Sequence, residues 1–219
     1  QALNLAPGIA LTAEQVAALT HDIVWMQEQV VNGQKVLVPV LYLAQANDRL
    51  APGGALIQGQ DVALISGGNL NNSGTLRASK NLSATANNIS NSGLMHANER
   101  LSLLATDSIR NAQGGIIAGK NVTAIALTGD IRNERTITQE ARSGRNFSQL
   151  TSVVDKAAGI EASNDLTLSA GRDIQNIGGS LKAGGDASLS AGQDLIIASA
   201  EAENGQMRKD KRHFWSSTS

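Results

Sequence analysis

From about residue 54 onward the chain resembles itself with a period near 20 residues, and a repeat of that length dictates its own architecture. The first copy runs Gly54-Ala-Leu56-Ile-Gln-Gly-Gln-Asp61-Val62-Ala-Leu64-Ile-Ser66. A second opens at Gly74, with Leu76, Ala78, Asn81, Leu82, Ala84 and Ala86. A third opens at Gly93, with Met95, Ala97, Leu101, Leu103 and Ala105. A fourth opens at Gly114, with Ile116, Ala118, Asn121, Val122, Ala124 and Ala126. The fifth opens at Ala158, with Ile160, Ala162, Asp165, Leu166, Leu168 and Ala170. The sixth opens at Gly179, with Leu181, Ala183, Asp186, Ala187, Leu189 and Ala191. Apolar positions alternate within each copy, which is strand periodicity with one buried face. Gly, Asn and Asp divide each copy into three short runs by supplying turns.

A unit this short cannot bury its own apolar face, so it must stack on its neighbours. Three short strands per turn, stacked in register, make a parallel β-helix with coils about 4.8 Å apart. Six or seven coils give a rod of roughly 30 Å. The interior is then lined by aliphatic rows with Ala near the corners. This accounts for an aromatic content of only 2%. Trp25, Tyr42, Phe147, Phe214 and Trp215 all fall outside the regular coils, as do Pro7, Pro39 and Pro52. Proline inside a coil would delete a ladder hydrogen bond. Asn72, Asn91, Asn111, Asn133 and Asn176 recur near the ends of the copies, and stacking them makes an amide ladder. Turn satisfaction is the preferred reading of that row, ahead of ligand binding. The row breaks at Ile197.

Residues 136–157 have no place in the period and are expected to form a protruding loop or hairpin, with Ser143-Gly144 at its turn. The segment carries Glu140, Arg142, Arg145 and Phe147, the candidate contact residues of the chain, besides Asp155 and Lys156. The first 53 residues read differently. Thr12 with Gln15 forms a capping-box pattern, and Val16, Leu19, Ile23, Met26 and Val30 recur at helical spacing before Asn32-Gly33. These predict an amphipathic helix over 12–31, followed by an edge strand over 35–44 containing Pro39. Helix and strand are expected to cap the N-terminal end of the β-helix, whose uncovered end would invite aggregation. The domain reading is a capping segment at 1–53, coils at 54–200 interrupted at 136–157, and an irregular basic and aromatic tail at 201–219.

Lys plus Arg is 18 and Asp plus Glu is 19, a net charge of −1 that argues against nucleic acid or an anionic membrane as partner. Cys is absent, which removes disulfides, thiolate zinc sites and cysteine nucleophiles, and is compatible with export. No apolar run approaches the roughly 18 residues of a membrane helix. Gln1-Ala2-Leu3-Asn4 lacks a start Met and a basic leader, so the chain reads as a fragment or a mature piece. His21, His96 and His213 share no metal-ligand spacing. Asp61, Asp165 and Asp186 stand one per coil at turns, whereas a sugar-cleaving enzyme needs its acids clustered. The sequons at Asn71, Asn81, Asn88, Asn121 and Asn146 are read as turn residues arising from composition. No catalytic, cofactor or metal residue is expected.

The coils Ile160-Glu-Ala-Ser-Asn-Asp-Leu-Thr-Leu-Ser-Ala-Gly-Arg-Asp-Ile-Gln-Asn176 and Leu181-Lys-Ala-Gly-Gly-Asp-Ala-Ser-Leu-Ser-Ala-Gly-Gln-Asp-Leu195 resemble filamentous-haemagglutinin repeats. The stretches Leu11–Trp25 and Val36–Tyr42 resemble a segment found inside such proteins. The resemblance implies a piece of a large exoprotein of Gram-negative bacteria. Such proteins are exported through an outer-membrane partner by two-partner secretion and form a right-handed β-helical filament on the cell surface. The family includes adhesins and contact-dependent growth-inhibition effectors with a C-terminal toxin. The implied partners are the outer-membrane transporter and a host or neighbouring bacterial cell. The implied role is a shaft. Alternatives are a segment that aids toxin passage across a target outer membrane, and a polysaccharide-processing β-helix.

Overall fold

The computed structural model describes residues 9–12, 15–16, 23–31, 34–43, 56–144, 147–199 and 205–208. Its centre is a β-solenoid of stacked coils. One sheet collects the long strands Leu56–Ser66, Thr75–Ala86, Leu94–Ala105 and Ile116–Ala126, all parallel, and continues through Gly159–Ala162 to Ser180–Ala183. Leu166–Ala170 stacks between Ile116–Ala126 and Ala187–Ala191 in the same sheet. A second parallel sheet collects one short strand from each coil: Leu70–Asn72, Ile89–Asn91, Ile109–Asn111, Ile131–Glu134, Ile174–Ile177 and Leu195–Ala198. In the first four coils, two of the expected three runs merge into one strand of 11 or 12 residues. Their junctions, such as Ser79-Lys80, stay extended with only small register shifts at Gly59/Asp61 and Ala97/Arg100. Ser163-Asn164-Asp165 and Gly184-Gly185-Asp186 instead break the strand, because three consecutive turn formers favour a bend.

Alternation places Leu76, Leu82, Ala84, Met95, Leu101, Leu103, Ile117, Val122, Ile160, Leu166 and Leu168 inside one continuous core, closed by Leu70, Ile89, Ile109, Ile131 and Ile174 of the short strands. Each fully buried aliphatic side chain contributes about 1.5–3 kcal/mol. Two copies sit one residue away from the sequence reading. Ile117, not Ile116, is opposite Met95, and Ile57, not Leu56, is opposite Leu76. Ile116 is therefore 40% exposed and Ile117 fully buried. The fourth copy absorbs an extra residue in its turn, where Gln113 and Gly114 both take positive φ (53° and 77°).

The expected helix over 12–31 is corrected. Its capping box forms: the Thr12 backbone N–H donates to Gln15 Oε1 at 2.9 Å and the Gln15 N–H to Thr12 Oγ1 at 3.2 Å. Val16 N–H closes one turn onto Thr12 O at 2.9 Å. Residues 13–14 and 17–22 lie outside the described residues. Ile23–Val31, however, is a β-strand paired antiparallel along its whole length with Gln34–Leu43. The segment is rich in β-branched and aromatic residues, and Asn-Gly between two apolar runs is a strong hairpin signal. Those physical preferences outweigh the helical spacing of Ile23, Met26 and Val30.

The expected strand at 35–44 is present as Gln34–Leu43. Only Val40–Leu43 pairs with the first coil, parallel to Ala63–Ser66, so Pro39 stands just before the doubly paired stretch. The hairpin thus joins the solenoid by strand addition. Val40 and Tyr42 are buried with Val16, and Leu41 on the opposite face packs against the solenoid core. Tyr42 Oη donates to Gln27 Oε1 at 2.8 Å and accepts the Leu11 N–H at 3.0 Å.

Candidate functional site

Three features of the coils bear on function: the buried polar row, the outer grooves and the excursion from the coils. The polar row is the asparagine ladder. Asn72, Asn91, Asn111, Asn133 and Asn176 are all buried at equivalent positions of the short strands. Each Nδ2 donates to the Oδ1 of the next, at 2.8 Å from Asn72 to Asn91, 2.9 Å to Asn111, 2.9 Å to Asn133 and 2.8 Å to Asn176. The spare amide protons go to main-chain carbonyls, such as Leu94 O, Ile116 O, Gly159 O and Ser180 O. Every amide is occupied by protein, so the row is a structural spine rather than a ligand site. Ile197 occupies the next position, opposite Asn176, and ends it.

A second ladder follows the adjoining corner, three residues before each of these positions. Asn88 Nδ2 donates to Asn69 Oδ1 at 3.0 Å, and Asn88 Oδ1 accepts the Ser108 N–H at 3.1 Å. Ser108 Oγ accepts the Asp130 N–H, Asp130 Oδ1 the Asp173 N–H and Asp173 Oδ1 the Asp194 N–H. The sequence marks these residues as turns, but their linkage from coil to coil is visible only in three dimensions. Asp130 is buried and compensated by Arg172 at 3.2 Å and Arg132 at 3.3 Å. The recurrent carboxylates behave likewise: Asp61 accepts Asn81 Nδ2 and Asp165 accepts the Asp186 N–H. Asp165 and Asp186 stand at bends as expected, whereas Asp61 lies within the extended strand Leu56–Ser66 and not at a turn, because its junction stays paired with the next coil; the three stand one to a coil and are not gathered into an acid pair. Among the described residues no three His, Cys, Asp or Glu side chains come together as a metal site.

Two shallow grooves lie on the outer faces. One, about 200 Å³, lies over Asn71, Ser90 and Arg110. The other, about 350 Å³, lies over Ala118 and Gly119, between His96 and the Glu161–Lys182 ion pair at 3.1 Å. His96 Nδ1 is buried without a hydrogen-bond partner there. His21 and His213 lie outside the described residues.

The excursion is a hairpin, as the sequence expects. Ile137–Gly144 pairs antiparallel with Phe147–Val154, and Thr136 Oγ1 donates to Asp155 Oδ2 at 2.6 Å across its base. Glu140 stands opposite Thr151, Arg142 opposite Gln149 and Phe147 opposite Gly144. Arg145 lies outside the described residues. The turn falls after Gly144, not at Ser143-Gly144, because Gly144 still pairs. The expected tail also contains regular structure: Gly205–Arg208 is a strand paired antiparallel with Phe147–Leu150, giving a three-stranded sheet. Among the described residues no helix is long and apolar enough to cross a membrane.

Comparison with known proteins gives this architecture a family. The profile of the haemagglutinin repeat matches residues 31–135 and 141–202. The chain belongs to the haemagglutinin-repeat family. It is similar to the repeat region of several CdiA proteins. One is the "Deoxyribonuclease CdiA" of Dickeya dadantii (strain 3937), 41% identical over 186 residues, covering 82% of this chain and 6% of the relative. Another is the "16S rRNA endonuclease CdiA" of Enterobacter cloacae, 34% identical over 182 residues, covering 82% of this chain and 5% of the relative. A third, the "Toxin CdiA" of Escherichia coli, is 35% identical over 186 residues, covering 83% of this chain and 6% of the relative. The haemagglutinin-repeat chain therefore spans about one-twentieth of the length of these curated relatives. The activities in their names belong to proteins of which this segment is a small part. No solved structure matches the chain.

Proposed function

We propose that this haemagglutinin-repeat segment is a length of shaft in a large secreted exoprotein, holding adhesive or toxin-bearing regions away from the cell surface. The observation that carries the reading is the unbroken Asn72–Asn176 ladder inside stacked coils. It stiffens the coils against one another, and each added coil extends the structure by about 4.8 Å. The mechanism is geometric and needs no cofactor or catalytic residue. The polysaccharide-processing alternative has little support, since Asp61, Asp165 and Asp186 stand one to a coil, with Asp61 held by Asn81 and Asp165 by the Asp186 N–H, rather than as an acid pair. Export through an outer-membrane transporter of the two-partner type and display at the bacterial surface follow as part of the proposal. So does contact with a host or neighbouring bacterial cell. Glu140, Arg142, Arg145 and Phe147 of the 136–157 excursion are proposed as its contact residues.

The toxin names of the relatives favour a second reading, in which the segment helps a toxin cross the target-cell outer membrane. Removing one coil separates the two. Gly159 and Ser180 are equivalent, so deleting residues 159–179 joins Ala158 to Ser180 in register. In the parent exoprotein, the shaft reading expects unchanged display, target-cell binding and toxin entry. Lost entry with display and binding intact overturns it in favour of the delivery reading. Replacing residues 137–154 by a short Gly turn is expected to leave the coils folded and to reduce cell binding. Undiminished binding refutes the contact role.

A further inference from the structure

The outer face of the long sheet carries a row of residues, one to a coil: Gln58, Arg77, His96, Ala118, Glu161 and Lys182, each in register with the next. All but one have a long polar side chain or a ring. Ala118 stops at a methyl group, so the row has a gap at its coil. His96 and Glu161 stand on the coils to either side, two coil spacings or about 10 Å apart. The groove of about 350 Å³ opens over this gap. Its floor is Ala118 and the backbone of Gly119, with Asn98 beside His96 on one wall and Ser163 beside Glu161 on the other. That volume falls within the range of small-ligand sites, about 300–1,000 Å³. His96 Nδ1 is, among the described residues, the one buried side-chain polar atom without a hydrogen-bond partner. A buried nitrogen left unpaired is unfavourable, so a partner that reaches it gains a hydrogen bond at little desolvation cost to the protein. Glu161 and Lys182 hold one another at 3.1 Å and leave the pair without net charge. Asn98 and Ser163 are exposed, and each can both donate and accept.

We infer that this groove binds one unit of a neutral saccharide chain. A sugar hydroxyl donates and accepts through the same oxygen, so it satisfies Nδ1 in either tautomer of the imidazole. Further hydroxyls of the ring meet the Glu161 carboxylate, the Asn98 amide and the Ser163 hydroxyl. The small floor matters as much as the polar walls, because a long side chain at position 118 would occupy the space that the sugar takes. The groove is shallow, so a chain can lie across the coils with one unit seated in the gap. Glu161 is the one carboxylate in its lining, and hydrolysis needs two, so the site holds a saccharide without cleaving it. The site lies on the coils and does not depend on the contact role proposed for the 136–157 excursion.

The probes are soluble oligosaccharides of glucose, galactose and N-acetylglucosamine, with an oligomer of galacturonic acid as the acidic counterpart. Each is titrated into the full chain, and binding is followed by calorimetry and by the nitrogen NMR signal of His96 Nδ1. The inference expects saturable binding of at least one neutral oligomer, accompanied by a shift of the Nδ1 signal. Ala118→Gln puts a long side chain into the gap, like that of Gln58, and is expected to weaken binding by about tenfold or more with the urea midpoint unchanged. His96→Ala is expected to weaken it too. Thr123→Gln, on the neighbouring outer row of the same coil, is expected to leave affinity within about twofold of the wild type. The chain with residues 137–154 replaced by a Gly turn is expected to bind as the wild type does, which separates this site from the excursion. Absence of saturable binding by every probe overturns the inference, as does undiminished binding by Ala118→Gln and His96→Ala. Binding of the galacturonate oligomer alone, abolished in Lys120→Gln, overturns it in favour of simple charge attraction at the groove's edge.

Discussion

Asn111 sits in the middle of the asparagine ladder, and replacing it with Ala tests whether that ladder holds the coils together. Its side chain is fully buried. Nδ2 donates to Gly115 O at 2.9 Å, Asn133 Oδ1 at 2.9 Å and Gly159 O at 3.0 Å, while Oδ1 accepts Asn91 Nδ2 at 2.9 Å. Not every partner is stranded by the change. Gly115 O keeps the Gly159 N–H at 2.9 Å, and Asn91 Nδ2 keeps Gly93 O and Ile116 O. Gly159 O, in parallel register with Ile116, keeps its place in the strand ladder, so only Asn133 Oδ1 loses its donor in the dry interior. A buried polar group left unsatisfied costs about 1–3 kcal/mol. One such group sets an expected loss of about 1–3 kcal/mol for Asn111→Ala. The exposed Asn98→Ala is expected to cost no more than about 0.5 kcal/mol.

Urea denaturation gives the comparison. Stacked repeats unfold in part as well as in whole, so amide exchange over Ile109–Asn111 and Ile131–Glu134 locates the loss. Asn176→Ala, at the end of the row and 8% exposed, is expected to cost less than Asn111→Ala. A loss below about 1 kcal/mol for Asn111→Ala, or one equal to that of Asn98→Ala, refutes the reasoning from stranded groups.

Asn111→Asp replaces the donor with an oxygen that faces Asn133 Oδ1 and two carbonyls. Burial raises the pKa of that acid in the folded state. Its stability relative to the wild type is therefore expected to fall as pH rises above about 4, which denaturation at pH 3.5 and 7 reads directly. Gly115→Ala places a Cβ within 2.5 Å of Asn111 Oδ1, and a midpoint shift in urea worth about 1–3 kcal/mol is expected from that overpacking. Tyr42→Phe leaves Leu11 N–H and Gln27 Oε1 without their partner, and is expected to cost about 1 kcal/mol, seen in thermal unfolding and in faster exchange of Leu11 N–H. The hydrogen bond to Glu28 at 2.8 Å, and then its charge, raise the Lys35 ammonium above the ordinary lysine pKa. The link is intact below the unfolded lysine value and lost as pH rises through the folded one. An NMR titration of Lys35 is expected to shift downward in Glu28→Gln.

Sequence alone determined the solenoid, because its causes are local. Alternating Leu, Ile, Val and Ala can bury one face only by stacking, and Gly, Asn and Asp at regular intervals mark the corners. The asparagine row was legible for the same reason, residue by residue, as was the excursion at 136–157. Tertiary structure decided the rest. Ile23, Met26 and Val30 satisfy a helical spacing as well as an alternating one. Strand was settled by Gln34–Leu43, which pairs with that segment along its whole length while Val40–Leu43 adds to the first coil. Register was decided in the same way. Ile116 and Ile117 are chemically equivalent, and only the parallel partner strand, with a positive-φ turn at Gln113-Gly114 to absorb the extra residue, puts Ile117 inside. The corner ladder through Asn88, Ser108, Asp130 and Asp173 likewise needs coils already stacked, because each bond in it joins residues about 20 or more positions apart. Periodicity is a property of one strand, whereas pairing is a property of two.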